Sequence, residues 1–351
     1  MNMCNRSGLI CFMALAGLFQ LRPLSAASLD GTAGASIYEA ASYPFADTDF
    51  ARGFVRLNAG FSVPVAANVF LNLLTPVAGA INLNGTGAIT LEGDMSLASN
   101  ATLSAGGKIN GQGNAVLLQG NLSLSAGVTI ECTSDTIIDG QGHELLLLNG
   151  APGGQILING PVGTTVTLRN MTLRGLKNYT GGLSGIQFGA NANQKLVLEN
   201  VKVHLSGPYT FDGGKLDIKG NTSIDGWHTF EFAAPYDCTI KKDSTFFIDL
   251  RTTFKYRPSD LSRIRIVMED KTSRLFLNGC TLDVPLVNGL RLSKGHLIVD
   301  HRTTFFNDNA HCEAMGIAFG TGIPGQDLQI DIMPAAILDL ESTFLAYDNK
   351  D

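Results

Sequence analysis

The sequence predicts an all-β chain built as a parallel β-solenoid, and three observations lead to that prediction. Asn110-Gly111-Gln112-Gly113 recurs 29 residues later as Asp139-Gly140-Gln141-Gly142, each time before an apolar run. The neighbouring segments alternate apolar and polar residues, which is the pattern of half-buried strands. Gly, Asn, Asp and Ser interrupt them at short intervals, as turn residues do. Because repeats of this length are typical of stacked architectures, each unit is predicted to form one rung of two or three strands.

The repeat also predicts which residues stack on one another in neighbouring rungs. Aligned copies pair Leu97 with Leu124, Thr102 with Thr129, Asn110 with Asp139, and Asn170 with Asn200. The leucine pair is expected in the core. The Asn110–Asp139 pair is expected in a polar ladder, whose side chains hydrogen-bond along the stack.

The segment DGQGH is interpreted as the turn of a rung. Gly140 and Gly142 are expected to supply backbone freedom there. His143 has Asn114 as its counterpart, and asparagine does no acid–base chemistry, so His143 is assigned to the turn as well. Recurring DSTFF, RTTFK, RTTFF and ESTFL segments place four phenylalanines in similar settings, where a core role is expected: Phe246, Phe254, Phe305 and Phe344.

Composition excludes two classes of partner. The chain has 351 residues, of which 16% are charged, with a net charge of −6. A basic face for nucleic acid is therefore not expected, nor is a polybasic membrane patch. The polar content comes mainly from Asn, Ser, Thr and Gly, which suits a fold with many turns.

The N-terminus has the pattern of an export signal. An apolar segment, Gly8–Leu21, follows one positive side chain and precedes the small residues Ser25-Ala26-Ala27. Cleavage before Ser28 is expected. We divide the chain into a signal peptide at 1–27, an irregular N-terminal cap with the first rungs at 28–80, and the solenoid at 81–351. The protein is then secreted, periplasmic or at the cell surface, with no transmembrane segment after cleavage.

Four cysteines remain after that cleavage: Cys132, Cys238, Cys280 and Cys312. They lie far apart and lack the ligand spacing of a zinc site. An oxidising compartment permits disulfides. Burial as small apolar residues on strands is an equally good interpretation, so the pairing stays open at this point.

IIDGQGHELLL, followed by ILINGPVGTTVTLRNMTLRG, resembles the right-handed parallel β-helix (pectin-lyase-like) superfamily over Ile81–Tyr347. The resemblance implies a right-handed β-helix. It does not choose a function, because the superfamily includes polysaccharide lyases, glycoside hydrolases, tailspikes and adhesins. Its pectin hydrolases would be expected to carry Asn-Thr-Asp, Asp-Asp and Arg-Ile-Lys. The first two are missing here, and only Arg263-Ile264-Arg265 approaches the third.

Candidate catalytic residues cluster in one segment, Val299–Glu313: Asp300, His301, Arg302, Asp308, His311 and Glu313. On a strand, Asp300 and Arg302 share one face and His301 takes the other. That arrangement separates the groups, and a solvated strand edge is the competing interpretation. Trp227, the only tryptophan, is a candidate carbohydrate platform.

The sequence therefore predicts an exported scaffold with a surface-binding, adhesin-like or structural role, and with no evident catalysis, cofactor or metal site. Its expected partner is a polysaccharide or a cell-surface ligand. The alternative is a polysaccharide lyase or glycoside hydrolase of the pectin-lyase-like group, with calcium as cofactor if it is a lyase. Three or more carboxylates, or carboxylates with Arg, projecting from adjacent rungs into one groove would favour that alternative.

Overall fold

The computed structural model describes residues 61–65, 69–71, 79–85, 89–92, 95–97, 101–105, 116–124, 126, 129–132, 134–150, 153–191, 193–259, 266–284, 290–306, 317–319, 328–341 and 345–347. The predicted signal peptide, most of the predicted cap, and Asn110, Asp308, His311 and Cys312 lie outside these ranges.

Within the described ranges the chain forms β-strands and no helix. No membrane-crossing helix is therefore found in this part of the chain. In chain order the strands are β1 (Phe61–Val65), β2 (Val69–Leu71), β3 (Gly79–Gly85), β4 (Ile89–Glu92), β5 (Met95–Leu97), β6 (Ala101–Ala105), β7 (Val116–Gln119), β8 (Leu122–Leu124), β9 (Thr129–Cys132), β10 (Thr136–Asp139), β11 (Glu144–Leu147), β12 (Gln155–Ile158), β13 (Thr165–Leu176), β14 (Ile186–Phe188), β15 (Lys195–Leu205), β16 (Tyr209–Phe211), β17 (Lys215–Lys219), β18 (Asn221–Asp225), β19 (Thr229–Phe232), β20 (Cys238–Ile240), β21 (Thr245–Ile248), β22 (Thr253–Tyr256), β23 (Ile266–Met268), β24 (Arg274–Asn278), β25 (Thr281–Asp283), β26 (Leu290–Leu292), β27 (Gly295–Asp300), β28 (Arg302–Phe306), β29 (Ile317–Phe319), β30 (Leu328–Ile332), β31 (Ile337–Glu341) and β32 (Leu345–Tyr347).

Every pairing between these strands is parallel, and each strand lies beside its counterpart in the next repeat. One sheet contains seventeen strands, two contain six each and one contains three. Leu97 lies opposite Leu124 and Thr102 opposite Thr129, which confirms the predicted offset of 27 residues. The all-β prediction is thus confirmed, and the long parallel sheets are compatible with a β-helix.

The largest sheet has two parts because its long strands bend. β13 turns at Asn170 and β15 at Asn200, both with left-handed backbone conformations (φ 51° and 54°). We call the part after this bend the second arm. It comprises β11, the second halves of β13 and β15, and then β18, β21, β24, β27 and β30. A short turn leads from several of these strands into the later six-stranded sheet, formed by β16, β19, β22, β25, β28 and β31.

The interior is a stack of apolar side chains contributed by alternate residues of each strand. Aromatic rings continue this stack through the later six-stranded sheet. Phe232 is fully buried, and its ring lies parallel to those of Phe211 (centroids 5.7 Å apart) and Tyr256 (6.4 Å). Three of the four recurring phenylalanines are buried as predicted, and the fourth lies outside the described residues: Phe246, Phe254, Phe305 and Phe344.

A polar ladder runs along the bend of the largest sheet. The Asn170 side-chain amide donates to Asp139 Oδ1 (3.2 Å), and that of Asn200 donates to Asn170 Oδ1 (3.3 Å). The predicted Asn170–Asn200 pair is therefore confirmed. The preceding strand places Leu117 opposite Asp139, so the alignment that paired Asp139 with Asn110 does not give the register.

The two glycines of DGQGH have different tasks. Gly142 adopts φ +93° with open space around its Cα, so it supplies the expected backbone freedom. Gly140 has no positive φ. A Cβ at Gly140 would collide with the Cβ of Met171 in the next repeat, so this glycine allows two backbones to approach each other.

Three cysteines within the described ranges are unpaired and buried: Cys132, Cys238 and Cys280. They occupy strand or turn positions in the apolar interior, as one of the two open interpretations held. Burial raises the pKa of the Cys132 and Cys280 thiols to about 12, and it raises the pKa of Cys238 as well.

We therefore expect these three thiols to resist alkylation in the folded chain. The thiolate is the reactive form, and a raised pKa keeps each group protonated at mildly alkaline pH. Iodoacetamide treatment followed by peptide mass mapping checks this expectation. The three peptides should be unmodified before unfolding in urea and fully modified afterwards. Modification of any of them in the native chain would contradict the buried positions.

Candidate functional site

A column of left-handed turn residues connects the second arm to the later six-stranded sheet. Five successive turns each contain a residue with φ between 53° and 67°: Trp227, Arg251, Gly279, His301 and Ala335. Backbone hydrogen bonds tie neighbouring turns together, for example from Arg251 N–H to Gly279 O at 3.0 Å. We call these five residues the turn column. Its members range from glycine to tryptophan, so the turn requires the backbone conformation rather than one side chain.

Trp227 is the most conspicuous side chain of the turn column. It is 67% exposed, and the Arg251 guanidinium lies 4.4 Å from the centroid of its indole. Such a cation–π contact contributes about 0.5–1 kcal/mol at an exposed site. A left-handed conformation costs a residue with a Cβ about 1–2 kcal/mol. A large apolar ring thus stands in solvent at a position where glycine relieves strain.

A row of polar side chains lies beside the turn column, at the ends of successive strands of the second arm. Its members occupy equivalent positions on β15, β18, β21, β24 and β27: His204, Asp225, Asp249, Asn278 and Asp300. We call this set the polar row. Adjacent members are one strand apart, or about 4.8 Å.

Hydrogen bonds and one ion pair hold the polar row in place. His204 Nδ1 lies 2.5 Å from Asp225 Oδ1, and Lys202 Nζ lies 3.0 Å from Asp225 Oδ2. Asn278 donates from its side-chain amide to Asp249 Oδ1 at 2.9 Å. The row therefore presents carboxylate and amide oxygens in fixed positions, which are good acceptors for hydroxyl groups.

The prediction that Asp300, His301 and Arg302 share one strand is wrong. β27 ends at Asp300 and β28 begins at Arg302, because His301 adopts φ 53° and turns the chain. Asp300 joins the polar row, and His301 joins the turn column. Arg302 lies on the other side of the turn, with its Nε 2.6 Å from Asp339 Oδ2. Asp308 and His311 lie outside the described residues.

Sequence reasoning missed most of the polar row, although a signal was present. The segments SIDG, FIDL, FLNG and IVDH each place Asp or Asn after an apolar residue and before the turn column. Their spacing varies because the loops between them differ in length, so a fixed period does not align them. Within the described ranges, no three His, Cys, Asp or Glu side chains are grouped to bind a metal ion. The donor set for the calcium of a lyase is thus missing from the polar row.

Comparisons with protein-family models, with curated proteins and with solved structures found no match for this chain.

Proposed function

We propose that this chain is an exported, right-handed parallel β-helix that binds a glycan on its surface, in an adhesin-like role. The parallel register from repeat to repeat and the layered apolar interior support the β-helix. The apolar segment and small residues before Ser28 support export to the periplasm, the cell surface or the medium.

Trp227 is the observation that carries the glycan proposal. An indole face packs on the C–H groups of a sugar ring, and neighbouring carboxylates accept bonds from its hydroxyls. Both elements are adjacent here, because Trp227 follows Asp225 by two residues. Arg251 restricts the indole by stacking on it, which reduces the entropy that a ligand must remove on binding.

A second candidate function is cleavage of a polysaccharide. Asp225, Asp249 and Asp300 belong to one row on neighbouring strands, which approaches the carboxylate cluster expected of the alternative. Glycoside hydrolysis requires two carboxyl groups on either side of the bond. His204, held by Asp225, adds a group able to transfer protons near neutral pH.

Replacing Trp227 with glycine is expected to abolish binding while leaving the fold intact. Glycine relieves the left-handed strain, and this gain offsets both the lost cation–π contact and the added freedom of the unfolded chain. We expect the free energy of unfolding to change by less than about 1 kcal/mol. Co-sedimentation with insoluble polysaccharides and urea unfolding measure the two properties separately.

Ala335→Gly is the matched control, since it changes another member of the turn column and removes no aromatic ring. The full chain is tested against neutral and acidic polysaccharides, with and without calcium, and the products are assayed for new reducing or unsaturated ends. New ends would move the assignment to the enzyme. Equal retention of the two variants on every polymer would refute the role of Trp227.

A further inference from the structure

An apolar stripe crosses the outward face of the second arm. Phe247, Phe276 and Ile298 lie opposite one another on β21, β24 and β27. Each is partly exposed, whereas the residues before and after it on the same strand are buried. The Phe247 and Phe276 rings have centroids 5.1 Å apart and planes tilted by 36°. We call these three residues the apolar stripe.

The apolar stripe and the turn column border the polar row on opposite sides. Along β21 the order is Phe247, Asp249 and then Arg251, and β27 repeats it with Ile298, Asp300 and His301. Residues two apart on a strand lie about 6.6–6.8 Å from each other on one face. The face thus presents ring surfaces, hydrogen-bond acceptors and the Trp227 turn within one contiguous area.

We propose that this face binds an uncharged polysaccharide as an extended chain, with sugar rings on the apolar stripe and hydroxyls on the polar row. This inference rests on the proposed glycan-binding function and names its ligand class. Partly exposed phenylalanines on an outward sheet face serve no packing purpose in the interior, which the alternate residues already fill.

The charges of the face favour a ligand without acidic groups. Asp225, Asp249 and Asp300 would repel a polyanion at short range. The nearest cations are engaged, since Lys202 pairs with Asp225 and Arg251 stacks on Trp227. Hydroxyl groups donate to carboxylates at no such electrostatic cost, so a neutral polyol complements the row.

The geometry of the face favours a polymer over a single sugar. Equivalent side chains recur at each strand, about 4.8 Å apart, which is comparable to the length that one sugar ring adds to an extended glycan. A longer oligosaccharide therefore meets further members of the stripe and of the row. Affinity should rise with chain length, because each added contact comes from a ligand already held.

The test is calorimetric titration of the full chain with β-1,4-glucan oligomers, from disaccharide to hexasaccharide, and with oligogalacturonates of the same lengths. We expect Phe276→Ala to weaken hexasaccharide binding by about tenfold and to leave disaccharide binding at Trp227 nearly unchanged. Phe276→Tyr, which keeps the ring, should retain the affinity. Binding of the neutral hexasaccharide should be insensitive to added salt.

Val267→Ala is the matched control, because Val267 is also an outward, partly buried apolar residue of the largest sheet but lies on β23, away from this face. If Trp227→Gly abolishes binding while Phe276→Ala matches Val267→Ala, the stripe has no role and the glycan-binding proposal survives. Preference for the oligogalacturonates overturns the assigned ligand class. Binding of neither series to the unmodified chain rejects this inference, and failure to retain any polysaccharide in co-sedimentation rejects the proposed function with it.

Discussion

Phe232→Ala is expected to lower the free energy of unfolding by about 3–5 kcal/mol, the usual cost of removing a buried aromatic side chain. Phe232 is fully buried between the parallel rings of Phe211 and Tyr256. A layered stack cannot collapse freely into the cavity, since the strand backbones above and below are fixed by their hydrogen bonds. Urea unfolding followed by circular dichroism measures the change.

Two further variants of the same strand make the result interpretable. Phe232→Leu keeps most of the apolar volume and should cost clearly less than alanine. Glu231→Gln changes the neighbouring outward residue and should shift the free energy of unfolding by less than about 0.5 kcal/mol. If Phe232→Ala unfolds at the same urea concentration as Glu231→Gln, the aromatic stack does not stabilise the protein.

Gly175→Ala is expected to destabilise the chain by about 3 kcal/mol or more, which is a large effect for the addition of one methyl group. Gly175 has φ +85°, and a Cβ there would collide with the carbonyl oxygen of Leu147 in the preceding repeat. The left-handed conformation costs about 1–2 kcal/mol for alanine, and displacement of a backbone oxygen in a paired strand adds to it.

Gly163→Ala separates these two contributions. Gly163 has the same φ of +85° but no atom within 4 Å of an added Cβ, so only the conformational cost of about 1–2 kcal/mol remains. The difference between the two melting curves then reports the contact with Leu147. Equal destabilisation by both substitutions would show that Gly175 is required for its φ alone.

Apolar alternation and a repeat offset were sufficient to predict the all-strand, parallel character of this chain. Both signals are local, because one strand alternates by itself and its neighbour follows about one repeat later. The offset of 27 residues holds for Leu97 and Leu124. It fails at Asp139, whose preceding neighbour is Leu117, since the turns between strands vary in length and shift the register.

The candidate site was much harder to predict, because its members come from strands separated by loops of unequal length. Asp225, Asp249 and Asn278 are isolated polar residues in the sequence, and only strand pairing brings them into one row. Asp300 and His301 were singled out together, yet the left-handed turn sends them to different sets. Trp227 could be chosen from the sequence because it is unique, but its exposure and its contact with Arg251 required coordinates.

The turn column has an evolutionary consequence. The fold demands a backbone angle at each of its five positions and accepts Trp, Arg, Gly, His or Ala in meeting that demand. Mutations there therefore alter what the surface displays without passing through an unfolded intermediate sequence. Each position behaves as an independent variable at a fixed pitch. Ligand preference can drift, or be redesigned, one repeat at a time while the interior stays unchanged.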